Sequence, residues 1–193
     1  PDPESRILAR RTWSVEDDEV LLVAMGRLTR QKNFSSLVEA LSLVPETAGP
    51  WKCVIAGEGE LRGDLATEIG DRGLAGKIIL AGHVSEVGEF LGAADVFCLS
   101  SLYEGLPLVL LEAMAAGLPV CSYGIDGVTD VVQDGIQASL ARPEDPHDLA
   151  RAIQLVLTQP QTRRDMGKAG RELVQAGYDF ERVVDQLEEL YRA

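Results

Sequence analysis

The sequence contains few of the side chains from which disulfides and metal sites are built. It has three cysteines, at positions 53, 98 and 121, and each lies within an apolar segment. We therefore expect all three to be reduced residues of the core. Two histidines, His83 and His147, are too few for a histidine-based metal site, and the chain contains no Asp-x-Asp motif. We expect neither a metal nor a cofactor.

Long hydrophobic runs and an excess of positive charge are also missing. No apolar run approaches the roughly 20 residues that cross a bilayer, and no signal-peptide pattern follows Pro1. We expect an excised or processed piece of a cytoplasmic protein. The net charge of −13 argues against a general attraction to nucleic acid or to anionic lipid. An anionic ligand would need a local basic cluster.

Residues 19–193 alternate between short apolar runs and helical segments, whereas residues 1–18 look like a polar linker with a short helix. The predicted strands are Val20–Met25, Trp51–Ala56, Lys77–Ala81, Asp95–Leu99, Pro119–Tyr123 and Gln137–Leu140. The predicted helices are Asn33–Val44, Gly59–Arg72, Val84–Ala93, Pro107–Ala116, Gly127–Gln133 and stretches near 145–158, 160–176 and 180–192. Strands that are apolar without alternation indicate a parallel sheet covered on both faces. The pattern predicts a doubly wound, Rossmann-like α/β domain with its ligand crevice at the carboxyl ends of the strands.

The segment after the first strand, "GRLTRQKN", carries three of the chain's 18 basic residues within six positions: Arg27, Arg30 and Lys32. This local reversal of charge favours an anion site, although a solvated basic turn has the same pattern. The segment after the second strand, "GEGELRGDL", is a weak dinucleotide fingerprint because Arg62 stands in place of the third glycine. It suits a tight turn that lets a ligand approach the backbone. His83, after the third strand, is not by itself evidence of a catalytic site, because a loop histidine is more often structural than catalytic.

The segment after the fourth strand, "YEGLPLVLLEAMAAGLP", has two acids around the start of an apolar helix. Pro107 suits the first helical position, and the free N–H groups beside it would form an anion site with the helix dipole behind them. We expect Glu112 to be buried, where an unpaired carboxylate is costly. A carboxylate can bind the two hydroxyls of a ribose, and Glu104 could bind a sugar hydroxyl. The alternative is a Glu112 paired with a buried arginine and a Glu104 that is an ordinary loop acid.

Four motifs, "GRLTRQK", "GEGELR", "GHVSE" and "SSLYEGLPLVLLEAMAAGLPV", occur in this order from Val20 onward. Together they resemble the C-terminal, donor-binding half of retaining GT-B glycosyltransferases of family GT4, the glycosyl transferases group 1. The resemblance implies that Arg27 and Lys32 hold the diphosphate in place of a metal, that Glu104 contacts the donor sugar and that Glu112 binds the ribose. The remaining residues implied to bind the nucleotide sugar are Gly26, Gly57, Glu58, His83, Val84, Glu86, Gly105, Leu106, Pro107 and Leu108.

Two departures from the family pattern affect the expected substrate. The common Gly-Gly-x-Pro-Glu element is replaced within "IDGVTD", which ends in Thr129 and Asp130, and Ala138 stands where a glycine is frequent. The N-terminal acceptor-binding domain of such enzymes is not recognisable, and any peripheral membrane association would come through it. We therefore expect weak nucleotide binding and little or no transfer by this chain. The resemblance also implies that the last helix braces the missing domain.

Three other functions fit parts of the pattern. A GT-B-shaped epimerase or phosphorylase is disfavoured by the context of Glu104 and Glu112, and a nicotinamide-dependent oxidoreductase by the broken glycine pattern. A non-enzymatic nucleotide-sugar-binding or regulatory α/β domain would keep the fold without the activity. The intact set of Arg27, Lys32, Glu104 and Glu112 argues against this last alternative but leaves it open for an isolated fragment.

Overall fold

A computed structural model describes residues 3–177 and contains a single six-stranded sheet, in which all strand pairs are parallel. The strands are β1 (Val20–Met25), β2 (Trp51–Ala56), β3 (Ile78–Gly82), β4 (Val96–Leu99), β5 (Val120–Tyr123) and β6 (Ala138–Ala141). Every predicted strand is present, and no boundary is displaced by more than one residue. The strands are buried because helices cover both faces of the sheet.

The helices are α1 (Pro3–Thr12), α2 (Phe34–Leu43), α3 (Arg62–Asp71), α4 (Val87–Ala93), α5 (Leu108–Ala115), α6 (Pro146–Thr158) and α7 (Pro160–Gly177), with a short 3-10 helix at Glu46–Ala48. Helices α2, α3 and α6 pack together on one face of the sheet, and α1, α4, α5 and α7 pack on the other. None of the described helices is long and apolar enough to cross a membrane. The predicted helix near 180–192 lies outside the described residues.

The strand order β3-β2-β1-β4-β5-β6 reverses the direction of winding between β1 and β4. In a doubly wound sheet the loops on either side of such a reversal diverge and leave a crevice at the carboxyl ends of the strands. The loops after β1 and β4 are therefore the two walls of the expected ligand crevice. This order confirms the predicted doubly wound α/β fold.

The segment predicted to be a linker contains α1, which packs on α4. The guanidinium of Arg10, with the residue only 7% exposed, donates to Asp95 at 2.9 Å and to the carbonyl oxygens of Glu16 and Glu19. Arg6 donates to the other Asp95 oxygen at 2.7 Å and to carbonyl oxygens at the end of α4. Because buried charges need such partners, these contacts fix α1 against the sheet.

The three cysteines are buried and free, as predicted. Cys98 and Cys121 are register partners on β4 and β5. Burial raises the pKa of Cys98 to about 12 and raises the pKa of Cys53 and Cys121 well above the ordinary thiol value. These thiols are therefore protonated and inert core groups at neutral pH.

Two local predictions are wrong. The predicted helix Gly127–Gln133 is a series of turns, in which the Ile125 carbonyl accepts from both Val128 and Thr129. Gly127 has φ +79°, which lies outside the helical region. The predicted helix Asn33–Val44 instead begins at Phe34, because Asn33 has left-handed backbone angles, and the Asn33 side chain makes no capping hydrogen bond. Its carbonyl accepts from Ser36 instead.

Helix α3 begins at Arg62, three residues later than predicted. A Cβ atom on Gly59 would lie 2.3 Å from the carbonyl oxygen of Leu28. The backbone before α3 therefore packs against the loop after β1 instead of extending the helix. This close approach joins two loops at the carboxyl edge of the sheet.

Candidate functional site

The loops after β1, β2 and β3 are joined by backbone hydrogen bonds. Leu28 N–H donates to the carbonyl of Glu58 at 2.8 Å, and Gly57 N–H donates to the carbonyl of Gly82 at 2.7 Å. A Cβ atom on Gly57 would lie 1.8 Å from the carbonyl oxygen of Gly26, so only glycine fits at this crossing. The segment "GEGELRGDL" is thus a tight turn, as predicted, and the backbone that approaches Gly57 is that of Gly26.

These three loops and the start of α4 enclose a cavity of ≈ 530 Å³, which is within the range of small-molecule sites. Six of the predicted site residues line it. The lining residues are Met25, Gly26, Arg27, Ala56, Gly57, Glu58, His83, Val84 and Val87. Glu86, the last residue of the β3 loop, is the N-cap of α4 and lines a neighbouring cavity beside Trp13. His83 and Val84 line that neighbouring cavity as well, so Glu86 is adjacent to the cavity around Arg27 without lining it.

Arg27 is the exposed cation of this cavity. No hydrogen bond or ion pair engages its guanidinium within residues 3–177. A free guanidinium at the carboxyl edge of a parallel sheet is available to an anionic ligand. Arg30, two positions beyond the buried Leu28, is exposed as well but does not line the cavity.

Lys32 and Glu104, which lie 72 positions apart in the sequence, form an ion pair across the reversal point of the sheet. The distance from Lys32 Nζ to Glu104 Oε1 is 2.5 Å, and Ser101 Oγ donates to the same oxygen at 2.6 Å. The two charged side chains are 17% and 8% exposed. The Lys32 stem runs over Gly26, where a Cβ atom would lie 3.0 Å from Lys32 Cε. Glycine at position 26 therefore makes room for this lysine.

Further hydrogen bonds fasten the β1 loop to the β4 loop. Leu102 N–H donates to the carbonyl of Gln31, and the Gln31 side chain donates to the carbonyl of Tyr103 at 3.1 Å. Ser100 Oγ donates to the Lys32 carbonyl at 2.9 Å. The sequence analysis missed these partners and Ser101, because Ser and Gln in a loop carry no local signal of a long-range contact.

The start of α5 presents free backbone donors, as predicted. The N–H groups of Gly105, Leu106 and Leu108 make no hydrogen bond within the described part of the chain. Pro107, however, occupies the N-cap with ψ 95°, and the helix begins at Leu108. The prediction of Pro107 at the first helical position is wrong by one residue. The helix N-terminus still leaves free donors and a positive dipole end at the carboxyl edge of the sheet.

Glu112 is exposed, and the prediction that it is buried is wrong. Helix α5 buries Leu110, Ala113 and Met114, while Glu112 lies on the opposite stripe with exposed Leu108. This stripe faces away from the sheet although most of its residues are apolar. Since both sides of the helix are apolar, the sequence pattern does not reveal which side is buried. The alternative, a Glu112 paired with a buried arginine, is therefore also not found among the described residues.

The Glu112 carboxylate lines a groove of ≈ 490 Å³ between α4, α5 and α7, and Arg171 of α7 lines the same groove. Val87 lines both this groove and the larger cavity around Arg27, so the two are adjacent. The distance between Glu112 and Arg171 exceeds that of an ion pair. Arg171 was not predicted, since an exposed arginine on an amphipathic helix looks like an ordinary surface residue.

The loop after β5 completes the crevice. Gly127 packs so closely on the β4 loop that a Cβ atom there would lie 2.1 Å from the carbonyl oxygen of Gly105. A small pocket of ≈ 290 Å³ lies between the two loops, with Glu104 and Asp126 among its lining residues. The described residues contain no group of three or more histidine, cysteine or acidic side chains that could hold a metal ion.

A comparison with protein-family models matches residues 5–173 to the family described as glycosyl transferases group 1. The chain belongs to this glycosyltransferase family. The six-stranded parallel sheet corresponds to the C-terminal, Rossmann-like half of a GT-B architecture. The matched range includes all of α1 except its first two residues, in agreement with the packing of this helix on α4.

Relatives of this glycosyltransferase domain include an alpha-D-kanosaminyltransferase of Streptomyces kanamyceticus, which is 28% identical over 99% of this chain and 50% of its own length. A D-inositol 3-phosphate glycosyltransferase of Geodermatophilus obscurus is 32% identical over 99% of this chain and 44% of its own length. The solved structure of Anabaena Alr3699/HepE in complex with UDP-glucose has a TM-score of 0.91 at 20% identity, over 100% of this chain and 53% of that one. The chain thus spans about half the length of the relatives that it matches.

Proposed function

We propose that this chain is the donor-binding half of a retaining glycosyltransferase, which transfers a hexose from a nucleoside diphosphate to an acceptor. The observation that carries the proposal is the meeting of Arg27, the Lys32–Glu104 pair and the free N–H groups of α5 at one edge of the sheet. The diphosphate needs cations and N–H donors, and the ribose and the sugar on either side of it need acceptors for their hydroxyls. Family membership supports the same assignment.

Arg27 and Lys32 bind the diphosphate in this proposal, together with the N–H groups of Gly105, Leu106 and Leu108. When the sugar–phosphate bond breaks, charge grows on the leaving diphosphate. Fixed cations and a helix N-terminus stabilise that charge, and such electrostatic stabilisation is usually the largest contribution to catalysis of this kind. Since the cations are supplied by side chains, the proposal needs no divalent metal.

Glu112 accepts hydrogen bonds from the ribose hydroxyls, and its exposure leaves the carboxylate accessible. The cavity lined by Gly57, Glu58, His83 and Val84 holds the base. Glu86 is assigned to the outer rim of that loop, since it lines the adjacent cavity. Val87 lines both the proposed base site and the proposed ribose site, which supports a single nucleotide that spans both.

Glu104 contacts the donor sugar. Its Oε1 atom is engaged by Lys32 and Ser101, so the remaining oxygen is left for a sugar hydroxyl. A carboxylate held by a lysine and a serine is a weaker nucleophile than a free one. We therefore assign Glu104 to orientation of the sugar and propose transfer by attack on the same face, unlike the covalent route of retaining glycosidases.

A titration of the chain with UDP, GDP, ADP and their hexose forms tests this function. We expect one nucleotide to bind, and we expect Arg27→Ala and Glu112→Ala each to weaken binding at least about tenfold, the usual effect of losing one charged contact. Lys77→Ala is the matched control, because Lys77 is exposed and directly precedes β3, at the opposite edge of the sheet. Equal weakening by Lys77→Ala, or no effect of the two site variants, would contradict the assignment.

Transfer of sugar requires the remaining half of the parent protein, since this chain spans about half the length of its relatives. We expect the isolated chain to bind the donor weakly and to leave it intact. The longer protein should release nucleoside diphosphate from the same donor in the presence of acceptor. Binding without turnover by the longer protein would instead favour a regulatory domain that binds nucleotide sugars.

A further inference from the structure

A small pocket beside Glu104 lies between the loops that follow β4 and β5. Its volume of ≈ 290 Å³ is at the lower end of the roughly 300–1,000 Å³ typical of ligand sites. It suits a single sugar ring and is smaller than the cavity around Arg27. The lining residues are Leu102, Tyr103, Glu104, Gly124, Ile125, Asp126 and Pro143.

The β5 loop is held firmly against the β4 loop. A Cβ atom on Gly127 would lie 2.7 Å from the carbonyl oxygen of Glu104 as well as 2.1 Å from that of Gly105. The N–H group of Gly127 donates to the Asp130 carboxylate at 3.2 Å, and Gly124 N–H donates to Ala141 on β6 at 2.8 Å. Asp126, between these two glycines, is therefore fixed in the wall of the pocket that Glu104 also lines.

The two acids of this pocket differ in their electrostatic surroundings. Glu104 is neutralised by Lys32, whereas Asp126 is exposed and has no hydrogen bond or ion pair within residues 3–177. Arg142, next to Pro143, is already occupied by two other aspartates, Asp145 at 2.7 Å and Asp148 at 3.1 Å. The uncompensated charge of the pocket is thus the carboxylate of Asp126.

We propose that Asp126 determines which donor sugar the chain accepts. Its carboxylate takes a hydrogen bond from a hydroxyl or ammonium group of the sugar and repels a sugar that carries a carboxylate. The substrate class is therefore a neutral or amino hexose, and uronic acids are excluded. This inference rests on the proposed function, since it assigns the sugar subsite of the same nucleotide-sugar crevice.

The test compares the dissociation constants of UDP-glucose and UDP-glucuronate, or of GDP-mannose and GDP-mannuronate if the chain binds GDP. Like charges a few Å apart at a protein surface repel each other, so we expect the uronate to bind about tenfold more weakly than the hexose. Asp126→Asn should reduce this ratio to below about threefold. Because the ratio is taken within one protein, a general loss of nucleotide affinity cancels.

Asp71→Asn is the matched control, since it removes the same charge at the far end of α3, and it should keep the tenfold ratio. A wild-type chain that binds the nucleotide but does not distinguish uronate from hexose would refute the role of Asp126 and leave the donor-site proposal intact. An unchanged ratio in a folded Asp126→Asn variant would refute it as well. If the wild-type chain binds none of UDP, GDP and ADP, the proposed function fails, and this inference fails with it.

Discussion

The ion pair between Lys32 and Glu104 should contribute measurably to the stability of the unliganded chain. Exposed ion pairs are worth about 0–1 kcal/mol, whereas removal of one partner from a buried pair costs about 3–5 kcal/mol. The side chains of Lys32 and Glu104 are 17% and 8% exposed, which is intermediate but nearer to burial. We expect Lys32→Met to lower the free energy of unfolding by about 2 kcal/mol, because it leaves the Glu104 carboxylate with Ser101 as its remaining partner.

Glu104→Gln should cost less, about 1 kcal/mol, because the glutamine can still accept from Ser101 and the lysine stem can turn its ammonium toward water. The double variant should then lose about 1–1.5 kcal/mol less than the sum of the two single variants. Methionine is used at position 32 because it keeps the apolar stem that packs over Gly26. The difference between the sum and the double variant isolates the pair itself.

Urea unfolding followed by tryptophan fluorescence measures these values, since Trp51 is buried. For a domain of this size, a loss of 2 kcal/mol corresponds to a decrease of about 4–8 °C in Tm. The control is the same cycle on Lys168 and Glu172, an exposed pair at 3.7 Å whose side chains are 78% and 64% exposed. There we expect a coupling below about 0.5 kcal/mol. An equally small coupling for Lys32 and Glu104 would refute the conclusion that the unliganded crevice is organised by this pair.

The remaining predictions concern the close packing of the loops and the buried thiols. Gly57→Ala should destabilise the chain by more than about 3 kcal/mol, because its Cβ would overlap the carbonyl oxygen of Gly26 and its φ is +140°. The control is Gly63→Ala, which lies in open space on α3 and should be neutral or stabilising by up to about 1 kcal/mol. Equal unfolding curves for the two variants would contradict the close crossing of Gly57 and Gly26. The cysteines should resist a thiol reagent at pH 8 in the folded chain and react at once in denaturant. Fast labelling of the folded chain at pH 8 would contradict the burial of the thiols. Burial raises the pKa of Cys98 to about 12, so the contribution of the protonated thiol to stability is complete below pH ~9 and is lost as the pH rises toward 12.

Local patterning predicted the sheet well because each strand is a short apolar run that must be covered on both faces. β1 and β2 begin and end at the predicted residues, and the displacement at β3, β4, β5 and β6 is a single residue. The winding order follows from repeated strand–helix units with right-handed connections. The predicted residues after β1, β2 and β4 lie at one edge of the sheet, because all carboxyl ends of a parallel sheet are on the same side.

For helix α5, the sequence pattern does not predict which side of the helix is buried. Its residues are apolar on all sides, so the hydrophobic period does not say which stripe faces the sheet. Only packing against the sheet and α7 selects Leu110, Ala113 and Met114 for burial and leaves Glu112 exposed. The prediction of a buried Glu112 was therefore wrong, and its carboxylate instead lines a groove next to the cavity around Arg27.

The sequence by itself predicted the succession of strands and helices, the doubly wound parallel sheet and the charged residues that follow its strands. The tertiary structure decided which partners those charged groups have. Lys32 forms an ion pair with Glu104, the Arg27 guanidinium has no partner within residues 3–177, and Asp126 is the unpaired acid of the small pocket beside Glu104. Hydrophobic periodicity and turn chemistry depend on residues that are close in the sequence, so the sequence alone predicts most helices and strands. The pairing of side chains 72 positions apart depends on how loops from different strands approach one another, and that is fixed only when the sheet has assembled.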